Sequence, residues 1–568
     1  MSLETRCRIL GTFFLLFFIL VLSRLFYWQV IAAPRLSAQA DDQHFVSMEL
    51  PAQRGEIYSL DGFPLAANSE AFLLYASLPE LKEEPYKIVE SIVPFFAQEE
   101  EMASVSAMVR ERLEREDLVW VPLKHRLNVL QKEKIEALGI EGLGFESEGV
   151  RAYPEASMAA QLLGFVGRDI DGQSKGYFGL EGYYDLELRG KSGWIRREKD
   201  PWGRPILVGE ATLSPAKPGR GLVTTIDRAA QYLVEKKLEK GIEKYGAVSG
   251  TVIIMKPQTG AILAMASWPK FDQSEYWLYE QNLFPNPATS QSFEPGSIFK
   301  VLVTAAALDT QAVEAETQCD SCDGPRTIAE YKIETWDKKY YPDSTVADII
   351  KHSDNVGMVF VAEKLGLDKL YDYLVSFGFD SITGIDLEGE MNPALRPKED
   401  WRFIDLATAS FGQGIAVTPL QMVKAVGALA NRGKMIRPFV VKQVISSEKE
   451  IEIKPKLEKQ VVSPVTARVI TEMMIGAVEE GEAKWAKPKG LRVAGKTGTA
   501  QIPLAGHYDE EKTITSFIGF APADEPEFVM LVILREPTSS PWGSETAAPL
   551  WFDISKELIK LWQISLGQ

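Results

Sequence analysis

Three cysteines and four histidines are few for a chain of 568 residues. The histidines, His44, His125, His352 and His507, are scattered along it. That scatter speaks against a Ser-His-Asp mechanism. With no second cysteine pair, no metal site is expected, and nothing calls for a cofactor. Cys7 stands alone, while Cys319 and Cys322 enclose only Asp320 and Ser321. Such a pair, with no histidine nearby, is either a local disulfide or two idle thiols. Positive charge is also short: 62 Lys and Arg against 79 Asp and Glu leave a net charge of −17. An acidic balance argues against nucleic acid binding and suits a soluble exported domain. Internal repeats and low-complexity tracts are absent. So are long apolar runs after the N-terminus, which leaves no later segment able to span a membrane.

The one long apolar run covers Ile9 to Val30, interrupted by Arg24. It is long enough to cross about 30 Å of hydrocarbon. Arg24 can snorkel to an interface beside Tyr27 and Trp28. Arg6 and Arg8 precede the run, so its N-terminal end is expected on the cytoplasmic side. A cleaved signal peptide is the alternative, but Ala32-Ala33 is a poor processing site and Arg24 and Trp28 spoil the region before it. The expected organisation is a cytoplasmic tail (1–8), a transmembrane anchor (9–30), an extracytoplasmic region (31–220) and a second, larger domain (221–568). Leu213 to Gly221, with Pro215, Pro218 and Gly219, marks the boundary between the last two.

Three short motifs lie in order along the second domain: Ser297-Ile298-Phe299-Lys300, Ser353-Asp354-Asn355 and Lys496-Thr497-Gly498-Thr499. Each alone is a common accident. Ser297 could be an ordinary helix cap, the second motif a loop and the third a turn. Together, in this order, they match the S-x-x-K, S-D-N and K-T-G set of serine enzymes that are acylated by penicillin.

The residue types suit that chemistry. Pro295 and Gly296 precede an apolar run and place Ser297 at a helix N-terminus, with Lys300 one turn later on the same face. A serine hydroxyl needs a neighbouring base. A lysine serves if burial and a second cation, here Lys496, depress its pKa. Ser353 offers a hydroxyl to relay a proton, and Asn355 an amide to hold a peptide group. Thr497 and Thr499 offer hydroxyls to a carboxylate, and Gly498 allows close backbone approach. The backbone N–H groups of Ser297 and Thr499 would form an oxyanion hole. One decoy stands apart. Gly172-Gln173-Ser174-Lys175-Gly176 matches a nucleophile elbow, but no strand-then-helix pattern surrounds it, and a glycine-rich loop is expected there.

Apolar runs at 251–255 and 261–265 flank a Pro257-to-Gly260 turn and predict a hairpin. Further strands are expected from Leu491, Ile514 and Phe528, and a closing helix over roughly 547–561. A charged stretch from Glu99 to Glu116 predicts a solvated helix. Early strands, a helical middle, later strands and a final helix make an α+β fold with an antiparallel sheet.

The wider sequence resembles the class B penicillin-binding proteins. Arg54-Gly55-Glu56-Ile57-Tyr58, Arg151-Ala152-Tyr153-Pro154, Gly164-Phe165-Val166-Gly167 and Gly179-Leu180-Glu181-Gly182 are similar to motifs of that family's N-terminal region. Thr225-Ile226-Asp227 with Gln231 resembles the entry to its catalytic domain. Phe411-Gly412-Gln413-Gly414 with Thr418-Pro419-Leu420-Gln421 is similar to a stretch common in division-type members. Departures are small: Asp354 is commoner in lactamases and small penicillin-binding proteins, and Gln273-Ser274 replaces the usual Pro-Asn. The resemblance implies the penicillin-recognising transpeptidase fold above a pedestal at 31–220. It also implies a peptidoglycan D,D-transpeptidase acting on D-Ala-D-Ala stem peptides, of the septal type, with β-lactams as covalent inhibitors. A polytopic glycosyltransferase and other division proteins are the implied partners. A β-lactamase or β-lactam sensor on the same fold, or a non-catalytic division scaffold, are the alternatives. The long N-terminal region disfavours the lactamase, and the intact Ser297, Lys300 and Lys496 disfavour the scaffold.

Overall fold

The computed structural model describes residues 2–115, 117–170, 172–199, 211–446, 449–504 and 507–565. The chain groups into two compact units, 1–54 with 189–219, and 55–188 with 220–568. A unit boundary thus falls within the proline-rich stretch after Leu213.

The first unit contains the apolar helix Leu3–Phe26, extended by a wider turn, Tyr27–Ile31. Its most apolar 18-residue stretch has a mean hydropathy of 2.4 and is unburied. Among the described residues it is the one helix long and apolar enough to cross a membrane. The Arg24 guanidinium lies 5.0 Å from the Trp28 ring and 5.6 Å from the Tyr27 ring, so its charge sits against the aromatic pair that follows it. The same unit holds an antiparallel three-stranded sheet of Phe45–Leu50, Gly193–Glu198 and Ala211–Ser214.

The second unit is built on a five-stranded antiparallel sheet in the order Ile262–Trp268, Ser249–Met255, Phe528–Arg535, His507–Ala521, Ala494–Leu504. The hairpin and the later strands lie where the apolar runs predict, although the edge strand starts at Ala494 and not Leu491, and its neighbour at His507 and not Ile514. The strands read as continuous apolar runs because both faces are covered. Val252, Ile254, Met530, Val532 and Leu534 point to one face, against the helices Arg228–Tyr245 and Ala547–Leu561. Their alternate neighbours Ile253, Met255, Val529, Leu531 and Ile533 point to the other, into the main core. Trp551 of the closing helix is fully buried and donates its indole N–H to the Met530 carbonyl at 2.8 Å. Ala494–Leu504 is the edge strand, and this places one side of the K-T-G segment beside the helical region.

That region centres on the helix Lys300–Asp309, in which every residue from Lys300 to Ala307 is buried. A helix apolar on all sides belongs in the middle of a core. Around it pack Asn355–Leu365, Leu367–Ser376 and Pro464–Glu479, and Val346–His352 packs in turn on the first and last of these.

A second large sheet includes Gly221–Thr224, which pairs in parallel with Ile57–Tyr58 and antiparallel with Val441–Ile445. The segment after residue 220 is therefore stitched into the unit on both sides. Arg151 and Glu181, from two separate N-terminal motifs, meet in a buried ion pair at 2.6 Å. The charged stretch forms the helix Met102–Leu113, shorter than predicted, with Val109 and Leu113 inward; residue 116 lies outside the described residues. The decoy at 172–176 is corrected from a loop to part of a hairpin: Ser174–Tyr177 pairs with Phe165–Arg168. Ser174 opens that strand and the next helix starts only at Gly179, so Ser174 does not sit at the strand-to-helix turn of an elbow. Cys319 and Cys322 form a disulfide, which resolves the alternative left open by their spacing.

Candidate active site

Ser297 sits in a tight turn, Gly296–Phe299, that runs directly into the buried helix from Lys300. Gly296 is required at the entrance. Its φ is +56°, and a Cβ there would lie 2.9 Å from the Thr499 carbonyl oxygen. The turn is thus pressed against the edge strand, which brings Ser297 and Thr499 to one cleft of about 340 Å³. Ser353, Asn355 and Thr497 line the same cleft.

The S-D-N motif is a junction between two helices. Val346–His352 ends at Ser353, a non-glycine residue with φ +57°. Asp354 then caps the next helix, its Oδ1 accepting from the N–H groups of Val356 and Gly357 at 2.8 and 3.1 Å. Asn355 is the first residue of that helix. The left-handed conformation at Ser353 is costly and persists only where its surroundings impose it. Here it turns both the Ser353 carbonyl and its hydroxyl toward Lys300.

Lys300 is fully buried. Its Nζ donates to the Ser353 carbonyl at 2.5 Å, to Asn355 Oδ1 at 2.7 Å and to Ser353 Oγ at 3.3 Å. Three acceptors match the three N–H bonds of an ammonium group. A neutral amine would keep two of these bonds and gain a lone pair. Burial, and next the nearby positive charge of Lys496, push the Lys300 pKa well below the ordinary lysine value, against the opposing charges of Asp354 and Glu482. Burial also lowers Lys496 and raises Asp354. The Ser297 hydroxyl makes no hydrogen bond to a described residue, so its proton is uncommitted.

On the edge strand, Lys496 Nζ donates to the Thr497 carbonyl and hydroxyl, each at 3.3 Å. The Gly543 N–H donates to Thr499 Oγ1 at 3.0 Å. With one lone pair taken, the Thr499 hydroxyl keeps its own proton to donate. The structure gives Gly498 a packing role that the sequence does not suggest. A Cβ there would lie 2.3 Å from Ser516 Oγ and 2.9 Å from Ile298 Cγ2. Glycine is needed there so that the strand can press on the nucleophile turn. Asn355 is likewise more occupied than predicted. Its Oδ1 serves Lys300, and one Nδ2 proton goes to the Glu334 carbonyl at 3.1 Å, leaving the second proton for a ligand.

Three cleft residues carry no sequence signal. Trp336 and Trp542 stand edge to face at 5.1 Å across the mouth. Glu482 accepts from the Thr497 hydroxyl at 3.4 Å. None belongs to a motif, and each arrives from a different loop. Among the described residues no cluster of His, Cys, Asp or Glu could hold a metal ion.

Residues 250–559 match the penicillin binding protein transpeptidase domain, and residues 49–224 the penicillin-binding protein dimerisation domain. Stage V sporulation protein D of Bacillus subtilis is 32% identical over 545 residues, 95% of this chain and 83% of that protein. The probable peptidoglycan D,D-transpeptidase PenA of Neisseria gonorrhoeae is 29% identical, over 94% of this chain and 88% of its own length. Among solved structures, penicillin binding protein 2X from Streptococcus thermophilus superposes with a TM-score of 0.75 at 24% identity, over 91% of this chain and 80% of that one.

Proposed function

This chain belongs to the class B penicillin-binding proteins and is a serine-type peptidoglycan D,D-transpeptidase, and on that premise we propose that Ser297 is its nucleophile and Lys300 its general base. Neutral Lys300 takes the Ser297 proton as the oxygen attacks the penultimate D-Ala carbonyl of a stem peptide. The backbone N–H groups of Ser297 and Thr499 receive the oxyanion. Ser353, hydrogen-bonded to Lys300, passes the proton to the leaving amine, and D-alanine departs. An amine of a second stem peptide then attacks the acyl-serine ester, its proton returning by the same route. Thr497 and Thr499 hold the terminal carboxylate, Lys496 supplies positive potential, and Asn355 holds the acyl-side amide.

The observation that carries this assignment is the Lys300 environment. A buried lysine surrounded by the S-D-N acceptors and one turn from an uncommitted serine hydroxyl is arranged to trade a proton. Labelling with a fluorescent penicillin followed by peptide mapping tests it. The label should fall on Ser297 and vanish in Ser297→Ala; label on another residue would overturn the assignment.

The apolar helix serves as a single-pass anchor that holds the catalytic region outside the cytoplasm, with 31–220 as its pedestal. The Phe411-to-Gln421 stretch supports a septal role, with a polytopic glycosyltransferase and other division proteins as partners. Depletion should then give filaments with unfinished septa, whereas rounded cells would point to wall elongation.

A further inference from the structure

Among the described residues Glu482 is the one carboxylate lining the catalytic cleft, and nothing in the proposed chemistry uses it. Its position is built. It follows the helix Pro464–Glu479, and the intervening Gly481 is wedged so tightly that a Cβ would lie 2.1 Å from the Ala477 carbonyl oxygen and 3.0 Å from that of Lys351. The backbone that carries Glu482 is thereby fixed beside the edge strand. Its Oε2 accepts the Thr497 hydroxyl at 3.4 Å. Among the described residues it forms no ion pair within 4 Å, although both catalytic lysines are near enough to feel it. Its negative charge opposes the burial-driven fall in the pKa of Lys496 and of Lys300.

These facts conflict with an unhindered carboxylate seat. A donor peptide or a β-lactam must bring its own carboxylate to Thr497 and Thr499. At Thr497 it meets a hydroxyl already donated to a carboxylate and a like charge only a few ångströms away. Inside a cleft partly screened from water such a charge is felt more strongly than in bulk solvent. A ligand that presents a cation to the same end, such as the ammonium group of an incoming acceptor, is favoured by the same charge. We propose that Glu482 is a specificity-determining residue that weakens capture of ligands bearing a carboxylate at the Thr497–Thr499 end and favours those bearing an ammonium group there. The inference rests on the assignment of Ser297 and of the threonine seat.

The test uses two β-lactams of identical side chain, one with its ring carboxylate free and one with it methylated. Acylation rates of the full chain are measured with each by intact mass, in wild type, Glu482→Gln and Glu482→Thr. The readout is the ratio of the free-acid rate to the ester rate. Removal of one like charge at this range should raise that ratio about tenfold in both variants. A merely structural role for Glu482 would move both rates together and leave the ratio unchanged, and that result would overturn the proposal. Two variants of different shape guard against one of them folding poorly, which circular dichroism checks. Ser297→Ala provides the separate control. Adduct surviving in it would overturn the nucleophile assignment and this inference with it, whereas its loss beside an unchanged ratio would overturn the role of Glu482 alone.

Discussion

At the scale of single residues, the chemistry turns on the charge state of Lys300. Arginine keeps the charge but cannot give up its proton. If Lys300 is the base, Lys300→Arg and Lys300→Ala should be similarly slow, because neither can accept the Ser297 proton. General-base catalysis contributes roughly 10²–10⁴-fold, so penicilloyl formation should slow by at least about a hundredfold in both. A Lys300→Arg rate within a few-fold of wild type would move attention to Ser353 and Lys496. The pH profile supplies an independent check. Only neutral lysine accepts a proton, so the acylation rate should climb with pH through the Lys300 pKa and be lost as pH falls below it. Burial and Lys496 place that limb well below the ordinary lysine value of 10.5. An ascending limb centred near 10.5, or no limb at all, would contradict a depressed lysine base.

At the scale of elements, the site depends on how closely the edge strand packs on the nucleophile turn. A Cβ on Gly498 has no room against Ser516 and Ile298. Gly498→Ala should push Ala494–Leu504 away from Ser297 and spoil the pair of N–H groups that face the oxyanion. Misplacement by about 1 Å costs on the order of a hundredfold, so acylation should fall by about that much while the fold survives. Near wild-type acylation would show that the strand yields elsewhere. The disulfide lies outside this packing. Cys319 and Cys322 are buried beyond the nucleophile helix and close a loop only three residues apart in sequence. Chain-entropy arithmetic for so short a loop gives about 2 kcal/mol. The double change to Ser should lower the melting temperature yet leave acylation nearly intact, and loss of acylation in a folded protein would tie the pair to the site.

At the scale of the whole molecule, one apolar helix at the N-terminus and a catalytic region at the other end of the chain make a simple topological prediction. A reporter that is active only outside the cytoplasm, fused after Gln568, should be active, and one that needs the cytoplasm should be silent. The opposite pattern would sink the proposed orientation, which rests on Arg6 and Arg8 before the helix.

The sequence by itself determined the chemistry and the outline of the fold. Ser297 and Lys300 share a face because one helical turn separates them, and spacing of that kind is local. The strands of the catalytic sheet and the closing helix were legible for the same reason, since apolar runs bounded by turn residues report local structure. Tertiary structure decided what lies between distant segments. It brought the acceptors of the S-D-N motif, 53 and 55 residues from Lys300, onto its amine. It closed the Cys319–Cys322 bond, which spacing had left open. It gave Gly498 a packing partner, and turned the supposed loop around Ser174 into a hairpin. It also set Glu482 beside Thr497 and the Trp336–Trp542 pair over the cleft. No periodicity announces such contacts, because a loop residue's neighbours across the fold are fixed only when the elements around it pack.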